Sequence, residues 1–94
     1  MQVLGQVVLQ RAARKHADAA KAIAMWRVSA TAAKWSSLVE LRTDIPSADY
    51  VRPFTVFNIR GNAYRLITVV EYAEQVVVVR DFLTHAEYDK GAWK

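Results

Sequence analysis

At Pro53 the hydrophobic period of this chain changes from about 3.6 residues to 2, and that switch constrains the fold more than any other feature. Up to Ile45 apolar residues recur every three or four positions. Beyond Pro53 they alternate through residues 54–60, 63–72 and 75–83, with Gly61-Asn62 and Ala73-Glu74 between them. Three alternating segments joined by two-residue turns read as an antiparallel meander. Helices followed by such a meander predict an α+β domain, with the N-terminal helices packed on one face of the antiparallel β-sheet.

The helical half divides in three. Residues 6–15 place Val7, Val8, Arg11, Ala12 and Lys15 at helical spacing, with cations toward the C-terminal end, where they complement the helix dipole. His16-Ala17-Asp18 interrupts the pattern. Asp18 is expected to cap a second helix carrying Ile23 and Ala30, with Trp26 anchoring it on the sheet. Ser36-Ser37 before Leu38-Val39-Glu40 predicts a short, capped third helix, which Pro46 ends. Met1 to Leu4 reads as a short edge strand, Ser47-Ala48-Asp49-Tyr50 as a turn, and His16 as a solvated residue between helices.

Ninety-four residues with 53% hydrophobic content predict one domain, residues 1–94, around a modest core. The absence of cysteine excludes disulfides, thiolate nucleophiles and cysteine zinc sites, and agrees with a reducing cytoplasm. No apolar run reaches membrane-spanning length and no leader pattern opens the chain, so a soluble cytoplasmic protein with no membrane partner is expected. The net charge of +4 favours anionic partners. It is unevenly spread: seven basic and three acidic residues lie up to Ser47, and six of each follow.

With both turns two residues long, Arg60 pairs with Ala63 and Tyr72 with Gln75, and side-chain alternation settles the faces. Phe57, Ile59, Tyr64, Leu66, Val70, Val77 and Val79 form the face under the helices. Val56, Asn58, Arg60, Arg65, Ile67, Arg80 and Phe82 form the open face, where Asn58 lies across from Arg65, Arg80 faces Ile67, and Arg65 and Arg80 become neighbours. By position alone, such arginines are most often solvated or paired with carboxylates.

His85, Tyr88 and Lys90 follow the last alternating segment, and His85 and Tyr88 share a face if a helical turn starts at Thr84. Imidazole moves protons near neutral pH, a phenol donates a hydrogen bond or stacks on a base, and guanidinium matches phosphate oxygens. Metal-free RNA cleavage needs a base for the 2′-hydroxyl, positive charge for the transition state and a donor for the departing 5′-oxygen. His85, Arg65 with Arg80, and Tyr88 or Lys90 suit those roles. His85 as a helix cap and Tyr88 as an aromatic lid remain the structural alternatives. With two histidines and no carboxylate pair at two-metal spacing, metal catalysis is not expected.

Pro46-Ser47-Ala48-Asp49-Tyr50-Val51, Val56-Phe57-Asn58-Ile59, Gly61-Asn62 with Tyr64-Arg65-Leu66-Ile67, and Arg80 ahead of Thr84-His85-Ala86-Glu87-Tyr88-Asp89-Lys90 carry a resemblance in their order and spacing. The segment resembles the HigB-type toxins of bacterial type II toxin–antitoxin pairs, which are RelE-like ribonucleases. The resemblance implies a RelE-like fold and a metal-independent endoribonuclease that cuts mRNA, with the translating ribosome as partner. It also implies no cofactor and a cognate HigA-type antitoxin with a helix-turn-helix domain, operator DNA being reached only through that antitoxin. Carried over by position, Arg65, Arg80, His85 and Tyr88 are the catalytic set, and Asn58, Arg60 and Lys90 the RNA-binding residues. Two departures are visible: Ala63 replaces a lysine common after Gly-Asn, and Asp81 and Leu83 replace an apolar, glycine-containing link. The competing readings are a non-catalytic RNA- or ribosome-binding module that blocks translation, and a subunit whose sheet edge and basic helices hold a partner chain.

Overall fold

The computed structural model describes residues 1–94. Its five strands are β1 (Gln2–Leu4), β2 (Asp49–Val51), β3 (Phe54–Ile59), β4 (Tyr64–Glu71) and β5 (Val76–Thr84), and its helices are α1 (Gln6–Lys15), α2 (Ala20–Ala32), α3 (Leu38–Asp44) and α4 (His85–Lys90). The sheet runs β1-β5-β4-β3-β2, with β1 parallel to β5 and every other pairing antiparallel. The segment expected to be a turn at Asp49-Tyr50 is instead edge strand β2, with Tyr50 opposite Thr55.

Both hairpins take the expected register near their turns. Asn58 faces Arg65 across β3 and β4, and Glu71 faces Val76 across β4 and β5. Positive φ angles at Arg60 and Gly61 (53° and 62°) reverse the first turn, which glycine accommodates without a steric penalty.

The register then breaks. Thr68 faces Val79, whereas Ile67 faces Asp81, so Arg80 is the inserted residue of a β-bulge. The side chain of Asp81 offers a local reason: its Oδ1 accepts the backbone N–H of Phe82 at 2.8 Å, competing with regular ladder pairing. Past the bulge the faces of β5 exchange. Phe82, expected beside Arg80 on the open face, lies opposite Leu66 in the core and stacks on Tyr64 at 5.2 Å. Leu83, not Arg80, is the β5 residue beside Arg65.

The helices cover the other side of these residues. Trp26 of α2 meets Phe57 edge-on at 5.3 Å, and Phe57 is fully buried, which contributes on the order of 2–3 kcal/mol. Ser37 caps α3 by accepting the N–H of Glu40. Asp18 does not cap α2, which starts from a 3₁₀ turn over Ala17–Ala19 with no side-chain cap. Between β1 and α1 the chain crosses β5 at Gly5 (φ 86°), where a Cβ would lie 2.5 Å from the Val79 carbonyl oxygen.

The second sheet face is partly covered. Val56 and Ile67 are buried there outside the main core, α4 packs on β4 and β5, and Trp93 meets Phe54 edge-on at 5.6 Å. No helix is long and apolar enough to cross a membrane.

Candidate active site

Arg65 projects from β4 on the second face and is only 9% exposed. Its Nη1 donates to the carbonyls of Asn62 and Tyr64, both at 3.2 Å. Its Nη2 donates to Asn62 Oδ1 at 2.6 Å and meets His85 Nδ1 at 3.1 Å. All four terminal N–H groups of the guanidinium are thereby engaged, so the cation is held rigidly by the Gly61-Asn62 turn.

His85 opens α4, whose start is doubly fastened. Thr84 Oγ1 accepts the N–H of Glu87 and Glu87 Oε1 accepts the N–H of Thr84, a reciprocal capping box. The His85 N–H also donates to the Ala63 carbonyl at 3.0 Å, tying the helix to the hairpin turn. On the ring, Nε2 lies 3.2 Å from Asp89 Oδ2, one helical turn on. Guanidinium only donates, so Nδ1 is the acceptor and the hydrogen of the neutral ring sits on Nε2, facing Asp89. The result is a line of contacts from Asn62 through Arg65 and His85 to Asp89.

Tyr88 lies on the same side of α4, its ring centroid 5.4 Å from Arg65 Cζ. Trp93 stacks on Tyr88 at 4.9 Å with an interplanar angle of 17°, and its Nε1 donates to the Tyr88 carbonyl. Burial, with the charges of Asp49 and Asp89, pushes the Tyr88 phenol above its ordinary pKa against the opposing pull of Arg65. The phenol is therefore a proton donor at neutral pH. The backbone N–H of Thr84 holds the Glu87 carboxyl below the usual carboxylate range, aided by the charges of Lys15 and His16.

Arg65, His85 and Tyr88 are thus brought together. Asn58 is exposed on β3 opposite Arg65, and Lys90 is exposed at the end of α4. Two arginines depart from the expected open-face cluster. Arg60 turns away and pairs with Asp18 Oδ2 at 3.2 Å, while the Tyr64 hydroxyl donates to Asp18 Oδ1 at 2.8 Å. Arg80, displaced by the bulge, lines a groove with Arg11 and Lys15. His16, expected to be solvated, packs its ring against Tyr64 and Phe82 at 4.8 and 5.9 Å. The sequence reading missed Asn62, Asp89 and Trp93. Asp89 had a readable signal, four residues after His85 on a short helix. No group of three or more His, Asp or Glu side chains is arranged to hold a metal.

A family model described as HigB toxin, the RelE-like toxic component of a toxin–antitoxin system, matches residues 19–91. The mRNA interferase HigB of Escherichia coli O6:H1 is 29% identical over 94 residues, covering 96% of this chain and 90% of that protein. The mRNA interferase toxin HigB of Escherichia coli K12 and the mRNA interferase HigB of Shigella flexneri are each 36% identical over 52 residues, covering 52% of this chain and half of theirs.

Proposed function

The chain belongs to the HigB toxin family, RelE-like toxic components of toxin–antitoxin systems, and from that premise we propose that it is a metal-independent endoribonuclease. In this reading it acts as one domain in the cytoplasm, cuts messenger RNA on the translating ribosome, and is held in check by a HigA-type antitoxin. The observation that carries the proposal is His85 held between Arg65 and Asp89, with the Tyr88 ring against the same guanidinium.

A substrate phosphate competes with His85 for Nη2 of Arg65. Its arrival frees the Nδ1 lone pair beside the phosphate, where it takes the proton of the 2′-hydroxyl. The 2′-oxygen then bonds to phosphorus, Arg65 stabilises the charge that develops, and Asp89 stabilises the imidazolium through Nε2. The bond to the 5′-oxygen breaks as the Tyr88 phenol protonates it, leaving a 2′,3′-cyclic phosphate and a 5′-hydroxyl. Asn58 and Lys90 contact the RNA backbone beside this centre, while Arg60 and Arg80 stand outside the chemistry.

The test is cleavage of a message with and without ribosomes by wild type, Arg65→Ala, His85→Ala and Tyr88→Phe. Loss of the base is expected to slow cleavage by about 10²–10⁴-fold, and the fragments should end in cyclic phosphate. Wild-type rates in His85→Ala would remove this site. One observation favours a second reading, a non-catalytic module that blocks translation: the terminal N–H groups of Arg65 are already occupied. That reading predicts arrested growth with intact messages.

A further inference from the structure

Pairing of β1 with β5 ends at Val78, so from Arg80 onward one edge of β5 has no strand partner. Between that edge and α1 runs an open groove of about 490 Å³, walled by Arg11, Ala12 and Lys15 on one side and Arg80 and Phe82 on the other. The side chains of Arg11, Lys15 and Arg80 are exposed and make no ion pair, whereas Arg60 is paired with Asp18 and the terminal N–H groups of Arg65 are all engaged. The two carboxylates in the lining are directed to backbone: Glu87 accepts the N–H of Thr84, and Asp81 that of Phe82.

We propose that this groove is a second phosphate-binding site, which takes the backbone of the same RNA strand a few nucleotides from the bond cleaved at His85. The proposal rests on RNA being the substrate. Three cations that make no ion pair, only Lys15 being close enough to Glu87 for its charge to act on that carboxylate, face one another across the groove and neutralise phosphates by releasing counterions. The location suits a continuous strand, because α4 is the shared wall: Glu87 borders the groove, while His85, Tyr88 and Asp89 belong to the other side of the helix. Crossing from one side to the other spans a helix's breadth, about 10 Å. The half-buried His16 also lines the groove, and an imidazole is a ring on which a base can stack. Charged and polar residues outnumber apolar ones in the lining, which favours a phosphate backbone over an added peptide strand.

The experiment measures equilibrium binding of 4-nucleotide and 12-nucleotide RNAs, with 2′-deoxy sugars to prevent cleavage, across a salt series. Wild type is compared with the triple variant Arg11→Ala, Lys15→Ala, Arg80→Ala and with a charge-matched control, Lys21→Ala, Arg27→Ala, Arg42→Ala. The triple variant should bind the 12-mer at least tenfold more weakly, with the slope of log K against log salt flattened by about 2, and only the longer strand should be affected. The control should bind like wild type. Unchanged 12-mer affinity and slope in the triple variant would overturn the groove and leave the ribonuclease reading intact. Equal weakening by both variants would assign the effect to net charge and also overturn it. Failure of wild type to bind either RNA would overturn both. A fourth arm uses a glutamate-rich decapeptide: if the triple variant loses the peptide but keeps RNA, the groove docks protein and the proposal is wrong.

Discussion

Replacing Arg65 with lysine keeps the charge but removes the fork. In the native site Nη1 and Nη2 together serve two carbonyls, Asn62 Oδ1 and His85 Nδ1. An ammonium on a single point reaches one or two of these. Hydrogen bonds to a charged group contribute about 1.5–3 kcal/mol each. Because Asn62 is exposed and water replaces part of what is lost, the low end applies, and Arg65→Lys should destabilise the protein by about 2–3 kcal/mol. For a chain of this length that corresponds to a fall in Tm of roughly 10–20 °C. Urea unfolding of wild type, Arg65→Lys, Asn62→Ala and the double variant completes a cycle. The 2.6 Å contact predicts a coupling of about 1–2 kcal/mol between positions 62 and 65. A coupling below about 0.5 kcal/mol, with Arg65→Lys as stable as wild type, would refute the view that the turn holds the guanidinium in place.

Phe82→Ala tests the bulge: a ring stacked on Tyr64 in the core should cost about 3 kcal/mol, whereas an open-face ring in an unbroken register would cost under about 0.5. Glu87, with its pKa lowered in the folded state, contributes stability above its unfolded pKa of about 4.3 that is lost as pH falls through the folded value. The helical signal of α4 should therefore fade in acid, and Glu87→Gln should flatten that dependence; an unaltered acid profile would count against the capping box. At the alkaline end, the hydrogen bond to Asp18 raises the Tyr64 pKa above about 10, so its stabilisation is complete below that pH and lost as pH climbs through the folded value. Tyr64→Phe should shallow the alkaline unfolding curve, and an identical curve would exclude this contribution.

The period switch at Pro53 made the meander legible because alternation and turn length together determine which residues face each other. The break at Arg80 was not legible. It coincides with one side-chain bond from Asp81 to the next N–H, which a hydrophobic pattern does not encode, and it moved Arg80 and Phe82 to new surroundings. Asp18 has the chemistry of a helix cap, yet both its oxygens are claimed from afar by Tyr64 and Arg60. The pairing of Arg65 with Asn58 could be read, since it depends only on the Gly61-Asn62 turn. Its contact with His85 also requires the C-terminal helix to fold back over the sheet, and local spacing is silent about that return.

Gly5 acts as a pivot at the foot of α1. Its lone hydrogen is what clears the Val79 carbonyl, one residue before the bulge. Any side chain there would lift the first turn from β5, and the tilt would grow along the lever of the helix: at 1.5 Å per residue, Arg11 stands about 9 Å and Lys15 about 15 Å from the fulcrum. The gap between those cations and Arg80 is consequently governed from a position that carries no charge and lines no groove. A library of substitutions scored for RNA binding would find Gly5 among its sensitive sites, with the defect transmitted by leverage rather than by contact.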